Sequence, residues 1–165
     1  MLQFRTFFSL FLVLVAGLPL ARAEPTTEPL QITLIAQKIL IDDQGIETFG
    51  TADRAEPGDI VAYAATYHNV SSRPLSGVNG MLPIPEGMEL IPGSIAPADF
   101  EASLDGVSFA PAPLQRTVRL ANGTLEKRPV PYRDYRALRW KMGDLSPSSK
   151  QTVNARVRIV TTVTP

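Results

Sequence analysis

The stretch PGDIVAYAATYHNVSS, residues 57–72, decides the fold class of this chain. Pro57-Gly58-Asp59 reads as a turn: proline fixes its own φ, glycine tolerates φ > 0, and an aspartate carboxylate accepts from the backbone beyond it. The period then becomes two. Val61, Tyr63, Ala65 and Tyr67 point one way, and Ile60, Ala62, Ala64, Thr66 and His68 the other. Asn69 with Ser71-Ser72 closes the run, which has the pattern of a half-buried strand.

The same period returns downstream. LPIPEGMELIPGS, residues 82–94, combines proline and glycine bends with a short strand. LRWKMGDLSPSSKQTVNARVRI, residues 138–159, carries two further alternating runs. Leu138, Trp140 and Met142 alternate with Ala137, Arg139 and Lys141. After a turn over residues 144–149, Val153, Ala155, Val157 and Ile159 alternate with Thr152, Asn154, Arg156 and Arg158. These two runs are expected to form a hairpin with one apolar and one cationic face. The expected core holds Val61, Tyr63, Tyr67, Leu138, Trp140, Met142, Val157 and Ile159. Prolines and β-branched residues interrupt every window that could hold a helix of any length.

Residues 30–41 form a first strand region, in which Ile32 and Leu34 alternate with Gln31 and Thr33 before residues 39–41 turn wholly apolar. Asp42-Asp43-Gln44-Gly45 is a turn, and residues 47–55 are expected to cross between sheets. Pro83-Ile84-Pro85 confines its segment to a sheet edge or a bend. Residues 100–109 read as a hairpin around Asp105-Gly106. Prolines 111, 113, 129 and 131 frame an insertion, residues 111–135, whose Asn122-Gly123 pair between two β-favouring runs signals a projecting hairpin.

The chain resembles the bacterial conserved-repeat domain family, the domain of unknown function numbered eleven. The residues that carry the resemblance are the Pro57-Gly58-Asp59 turn, the alternation ending in Asn69, the Pro85-Glu86-Gly87 unit followed by Pro92-Gly93-Ser94, and the run from Trp140 to Pro147. It covers about residues 30–161. Leu82 stands where the family often has aspartate, and Ser148 where it usually has glycine after the last proline. The resemblance implies an all-β, immunoglobulin-like antiparallel β-sandwich of about seven to nine strands, and it supplies no catalytic residues.

The N-terminal residues read as an export signal. Arg5 precedes a nearly continuous apolar run over residues 7–18, and Ala21-Arg22-Ala23 fits the small-x-small cleavage pattern. The run is shorter than the about 20 residues a helix needs to span a membrane. Residues 1–23 are therefore expected to be removed, leaving residues 24–29 as a linker and residues 30–165 as one domain with no stable membrane span. The chain has no cysteine, so neither a disulfide nor lipid attachment is expected. With no sorting tail after Pro165, a soluble product in the periplasm or outside the cell is expected.

Few residues offer chemistry. One histidine and no cysteine leave zinc sites and Cys–His or Ser–His catalysis without their parts. His68 falls on the sheet face shared with Ala62 and Thr66, near a strand end. Glu86 and Glu89 flank a turn and imply no cleft of the kind a glycosidase needs. Asp42 and Asp43 are weak calcium candidates, because the spacing lacks the alternating ligands and terminal glutamate of a dedicated loop. Asn69 and Asn122 match the glycosylation acceptor pattern, and both stand where turn geometry wants asparagine. Tyr132 and Tyr135 could make an aromatic platform beside Trp140, but its alternation with Leu138 and Met142 favours burial.

Charge is unevenly spread. Residues 24–105 carry 13 acids and 3 bases, whereas residues 106–165 carry 11 bases and 3 acids. If the expected hairpin forms, Arg139, Lys141, Arg156 and Arg158 share one face, with Arg133 and Arg136 at its rim. Those six are the candidate ligand-binding residues. The acidic stretch over residues 42–59 is a candidate to cover them, from the same chain or head-to-tail from a second copy.

No cofactor, no enzymatic activity and no nucleic-acid partner are expected. The expected function is a non-enzymatic exported structural or interaction module of the bacterial envelope or secretome, acting through sheet edges and loops on an envelope protein or glycan. The alternative is a binding module for an anionic glycan or lipopolysaccharide through the basic face.

Overall fold

A computed structural model describes residues 28–160. The expected signal segment and most of the linker lie outside the described residues. Among those described, the chain is all-β apart from a single 3-10 turn at Tyr132–Asp134. In chain order the strands are β1 Leu30–Ile41, β2 Glu47–Thr51, β3 Ile60–Asn69, β4 Leu75–Pro83, β5 Met88–Leu90, β6 Glu101–Ser103, β7 Ala110–Pro111, β8 Gln115–Arg119, β9 Leu125–Pro129, β10 Ala137–Leu145 and β11 Lys150–Ile159.

They make a five-stranded sheet, β2-β1-β3-β11-β5, a four-stranded sheet, β4-β10-β6-β7, and the separate hairpin β8-β9. Every strand pairing is antiparallel. The two larger sheets face each other across one apolar core. Val61, Ala65 and Tyr67 from β3 and Val153, Ala155 and Val157 from β11 line one side; Leu82, Ala102, Leu138 and Trp140 line the other. Tyr63, Met142 and Ile159 are half-buried against the same cluster.

Two local expectations fail in the same way. The β10 and β11 runs do not pair as a hairpin: β10 has β4 and β6 as neighbours, and β11 has β3 and β5. Residues 146–149 instead arch from one sheet to the other. Residues 47–55 do the reverse of the expected crossing, because β2 folds back onto β1 in the same sheet, pairing Ile41 with Glu47 through Gln37 with Thr51. Both errors have one cause. A period of two reports which side of a strand is buried, and that side is the same whether the next strand lies beside it or faces it across a core. The arches nest, with β3 on β11 and β4 on β10. In antibody-type domains, by contrast, the last two strands share a sheet.

Asn69 locks the nested arches together. It is buried, and its side-chain N–H groups donate to Arg73 O and Leu145 O, both at 2.8 Å. Its Oδ1 accepts from the Ser71 N–H and hydroxyl. Its own backbone exchanges bonds with the β10–β11 arch, donating to Ser149 O and accepting from Ser148 N–H. Tyr67, two residues earlier on the same face, both donates to Met81 O and accepts from Met81 N–H. The end of β3 is thereby fastened to the opposite sheet at two places.

The insertion forms its hairpin, with Gln115 opposite Pro129 through Arg119 opposite Leu125. Every residue of β8 and β9 is exposed except the half-buried Val118. Its root is held by buried Leu114 and Val130, by Val130 N–H donating to Leu114 O, and by Leu114 N–H donating to the Tyr135 hydroxyl.

Candidate functional site

The six basic candidates do not meet. Arg139 and Lys141 point outward from the four-stranded sheet, while Arg156 and Arg158 point outward from the five-stranded sheet on the opposite side of the molecule. Four of the six, Arg133, Arg139, Lys141 and Arg156, lie in ion pairs. Glu101 on β6 binds both Arg139, at 2.6 Å, and Lys141, at 2.7 Å, and Arg139 also lies over the Phe109 ring. The hydrogen bonds from Lys141 and then Arg139 hold the Glu101 carboxyl below the usual carboxylate range. Arg156 makes a two-pronged pair with Glu47, both contacts at 2.9 Å, spanning from β11 to β2 over the outer face. Arg158 sits opposite Glu89. Arg136 donates to the carbonyls of Arg133 and Tyr135, and Arg133 lies beside Asp134. Acids of the first half thus meet bases of the second because strands from the two halves interleave.

The other candidates have structural surroundings. Asp42 Oδ1 accepts from Gln44 N–H and Ile46 N–H, forming the β1–β2 turn rather than reaching outward. Among the described residues no group of three or more His, Cys, Asp or Glu side chains is placed to hold a metal. His68 is half-buried on the outer face of β3. Tyr135 is buried at the root of the insertion and stacks against Tyr132 with ring centroids 5.0 Å apart. Trp140 is buried, donating its indole N–H to Pro97 O at 2.8 Å. Asn69 donates both side-chain N–H groups inside the fold, which leaves no room for a glycan there.

A feature the sequence signalled only faintly stands out instead. The four-stranded sheet ends at β4, which lies over β3, so among the described residues the inner face of β1 has no strand above it. Ile32 and Leu34 share that face with buried Tyr67 and Ala65, their cross-strand partners, yet remain 57% and 53% exposed. Ile35, on the other face, is also exposed.

The edge of β1 is open as well. β2 covers only residues 37–41, so over residues 30–36 β1 pairs with β3 on one side and, among the described residues, with nothing on the other. The direction of the open groups follows from two bonds. Val70 N–H donates to Pro29 O, and Asn69 N–H donates to Ser149 O. In an antiparallel ladder, bonded and non-bonded pairs alternate. Odd-numbered residues of β1 therefore bond β3, and Leu30, Ile32, Leu34 and Ala36 aim N–H and C=O at the open edge.

The remaining edges carry devices that blunt them. β5 has three residues and β7 only two, one of them Pro111. On β4 the Tyr67 hydroxyl already occupies the Met81 N–H and C=O, register shifts interrupt the pairing near Gly143, and Pro83 ends the strand. β2 is five residues long and carries Glu47. Residues 30–36, LQITLIA, have no charge and no proline. The sequence signal was present in that composition, but nothing local says that an alternating strand will lie beyond the rim of the opposite sheet.

No family model, no curated protein and no solved structure matches the chain.

Proposed function

We propose that the chain is an exported, non-enzymatic interaction module that works by strand addition at the open edge of β1. A single observation carries this reading: an uncharged, proline-free stretch in which the backbone groups of alternate residues face an open edge and the Ile32, Leu34 and Ile35 side chains are exposed. An extended segment laid along it gains main-chain hydrogen bonds for affinity and apolar contacts for specificity. Export follows from the signal pattern in residues 1–23, and an immunoglobulin-like module of the bacterial envelope or secretome from the motif resemblance. Antiparallel sheets around a common core support that class, while the nested β10–β11 arch is a departure from the antibody arrangement.

The alternative, an anionic glycan on a basic sheet face, loses its premise because that face is divided between two sides and matched by Glu47 and Glu101. The test is site-specific cross-linking in the producing cell. Because the chain lacks cysteine, Thr33→Cys and Asn122→Cys each place a single photo-reactive thiol label, one on the edge and one at the hairpin tip. Adducts at position 33 that vanish with Leu34→Lys support strand addition. Absence of adducts at 33, or equal yield at 122, overturns it.

A further inference from the structure

The open stretch is its own complement. We infer that the strand added to β1 is β1 of a second copy, antiparallel, about a two-fold axis through Thr33 and perpendicular to the sheet. This rests on the strand-addition reading and names its partner.

Three observations select this occupant. The first is hydrogen bonding. Leu30, Ile32, Leu34 and Ala36 aim their backbone groups outward, and the axis sets Ile32 opposite Leu34 and Leu30 opposite Ala36 of the second copy. Every outward group thus meets an outward group, the pairing an antiparallel ladder requires. The second is the facing of side chains. Any such two-fold pairs even-numbered with even-numbered residues, so the exposed Ile32 and Leu34 of both copies fall on one face and cover one another. A one-residue slip would break both conditions together.

The third is length and charge. β2 blocks the edge from Gln37 onward, and the register centred on Thr33 is the one that uses all of residues 30–36. No like charges are brought together along it. The contact is isologous and closes at two subunits. It joins two five-stranded sheets into one continuous sheet and removes the longest unprotected edge. Seven residues a side fall at the small end of specific interfaces, so dissociation in the micromolar range, about 1–100 μM, is expected.

The experiment uses the full chain. Its weight-average mass, followed by sedimentation over that range, should rise from one chain to two. Oxidation of Thr33→Cys should give one covalent dimer, because the residue faces its own copy in a non-hydrogen-bonded pair with Cα atoms about 4.5 Å apart, within disulfide reach. Asn122→Cys should not dimerise under the same conditions. Leu34→Lys should raise the dissociation constant at least about tenfold while leaving the melting temperature unchanged.

A monomer at all concentrations overturns the inference, as does a dimer indifferent to Leu34→Lys and equally cross-linked at 33 and 122. The in-cell label at position 33 separates the two readings. An adduct of twice the chain mass supports the second copy. An adduct of any other mass sinks the second copy but leaves strand addition standing, and no adduct sinks both.

Discussion

At the scale of single residues, Asn69 has the most consequence for the fold. Asn69→Ala leaves the Leu145 carbonyl without its donor, whereas the Arg73 carbonyl keeps the Ser71 hydroxyl at 2.9 Å, and should cost about 1–3 kcal/mol by denaturant unfolding. Asn69→Asp is the sharper test. A carboxylate cannot donate to those two carbonyls, and burial disfavours its charge. Its folded pKa should therefore rise, and the variant should lose further stability as pH increases through the carboxylate range. Ser148 is the converse case. It follows Pro147 with φ 59, the left-handed position of a turn that favours glycine. Ser148→Gly should raise stability by up to about 1 kcal/mol, measured from the denaturation midpoint at constant slope. Trp140→Ala empties a core site shared with Phe100 and should cost about 3–5 kcal/mol; an unchanged melting temperature would contradict its burial.

Elements differ in how much the rest of the molecule depends on them. The β8–β9 hairpin buries almost nothing of itself, and its root is closed by Leu114, Val130 and Tyr135. Replacing residues 115–129 by a short glycine-rich turn should therefore leave cooperative unfolding intact and lower the melting temperature by only a few degrees, roughly the effect of 1 kcal/mol. The β6–β10 pair is tied through Glu101. Because the folded Glu101 pKa lies below its ordinary value of 4.5, its contribution is present above that pH and fades as pH falls through the folded pKa. The stability gap between the wild type and Glu101→Gln should narrow over that acid window, which a pH series of thermal melts would show. β10 and β11 were legible as strands with their buried sides assigned. Their sheet membership was not, since alternation carries no record of which neighbour a strand finds.

For the whole molecule, the charge halves and the open edge are both consequences of topology. Interleaving β1, β2 and β6 with β10 and β11 brings Glu47 and Glu101 to bases more than thirty residues away, so a sequence-wide asymmetry becomes a set of local pairs. Overhang of β1 past the rim of the opposite sheet turns Ile32 and Leu34, core-like by pattern, into surface. The expected export signal is a property of the whole chain and is tested at that scale: the intact mass of the exported form should correspond to a chain beginning at Glu24, and a mass retaining residues 1–23 would refute cleavage.

By itself the sequence determined that this is an all-β chain, where most strands and turns fall, and which side of β3, β10 and β11 is buried. Those properties depend on side-chain period and turn chemistry, which act over a few residues. Only the tertiary structure decided that β10 and β11 lie in opposite sheets, that Arg139 and Arg156 face opposite ways, and that residues 30–36 are left with an open edge. Each depends on which strands come to lie side by side, and that choice is made by burial of the whole core rather than by any one segment of it.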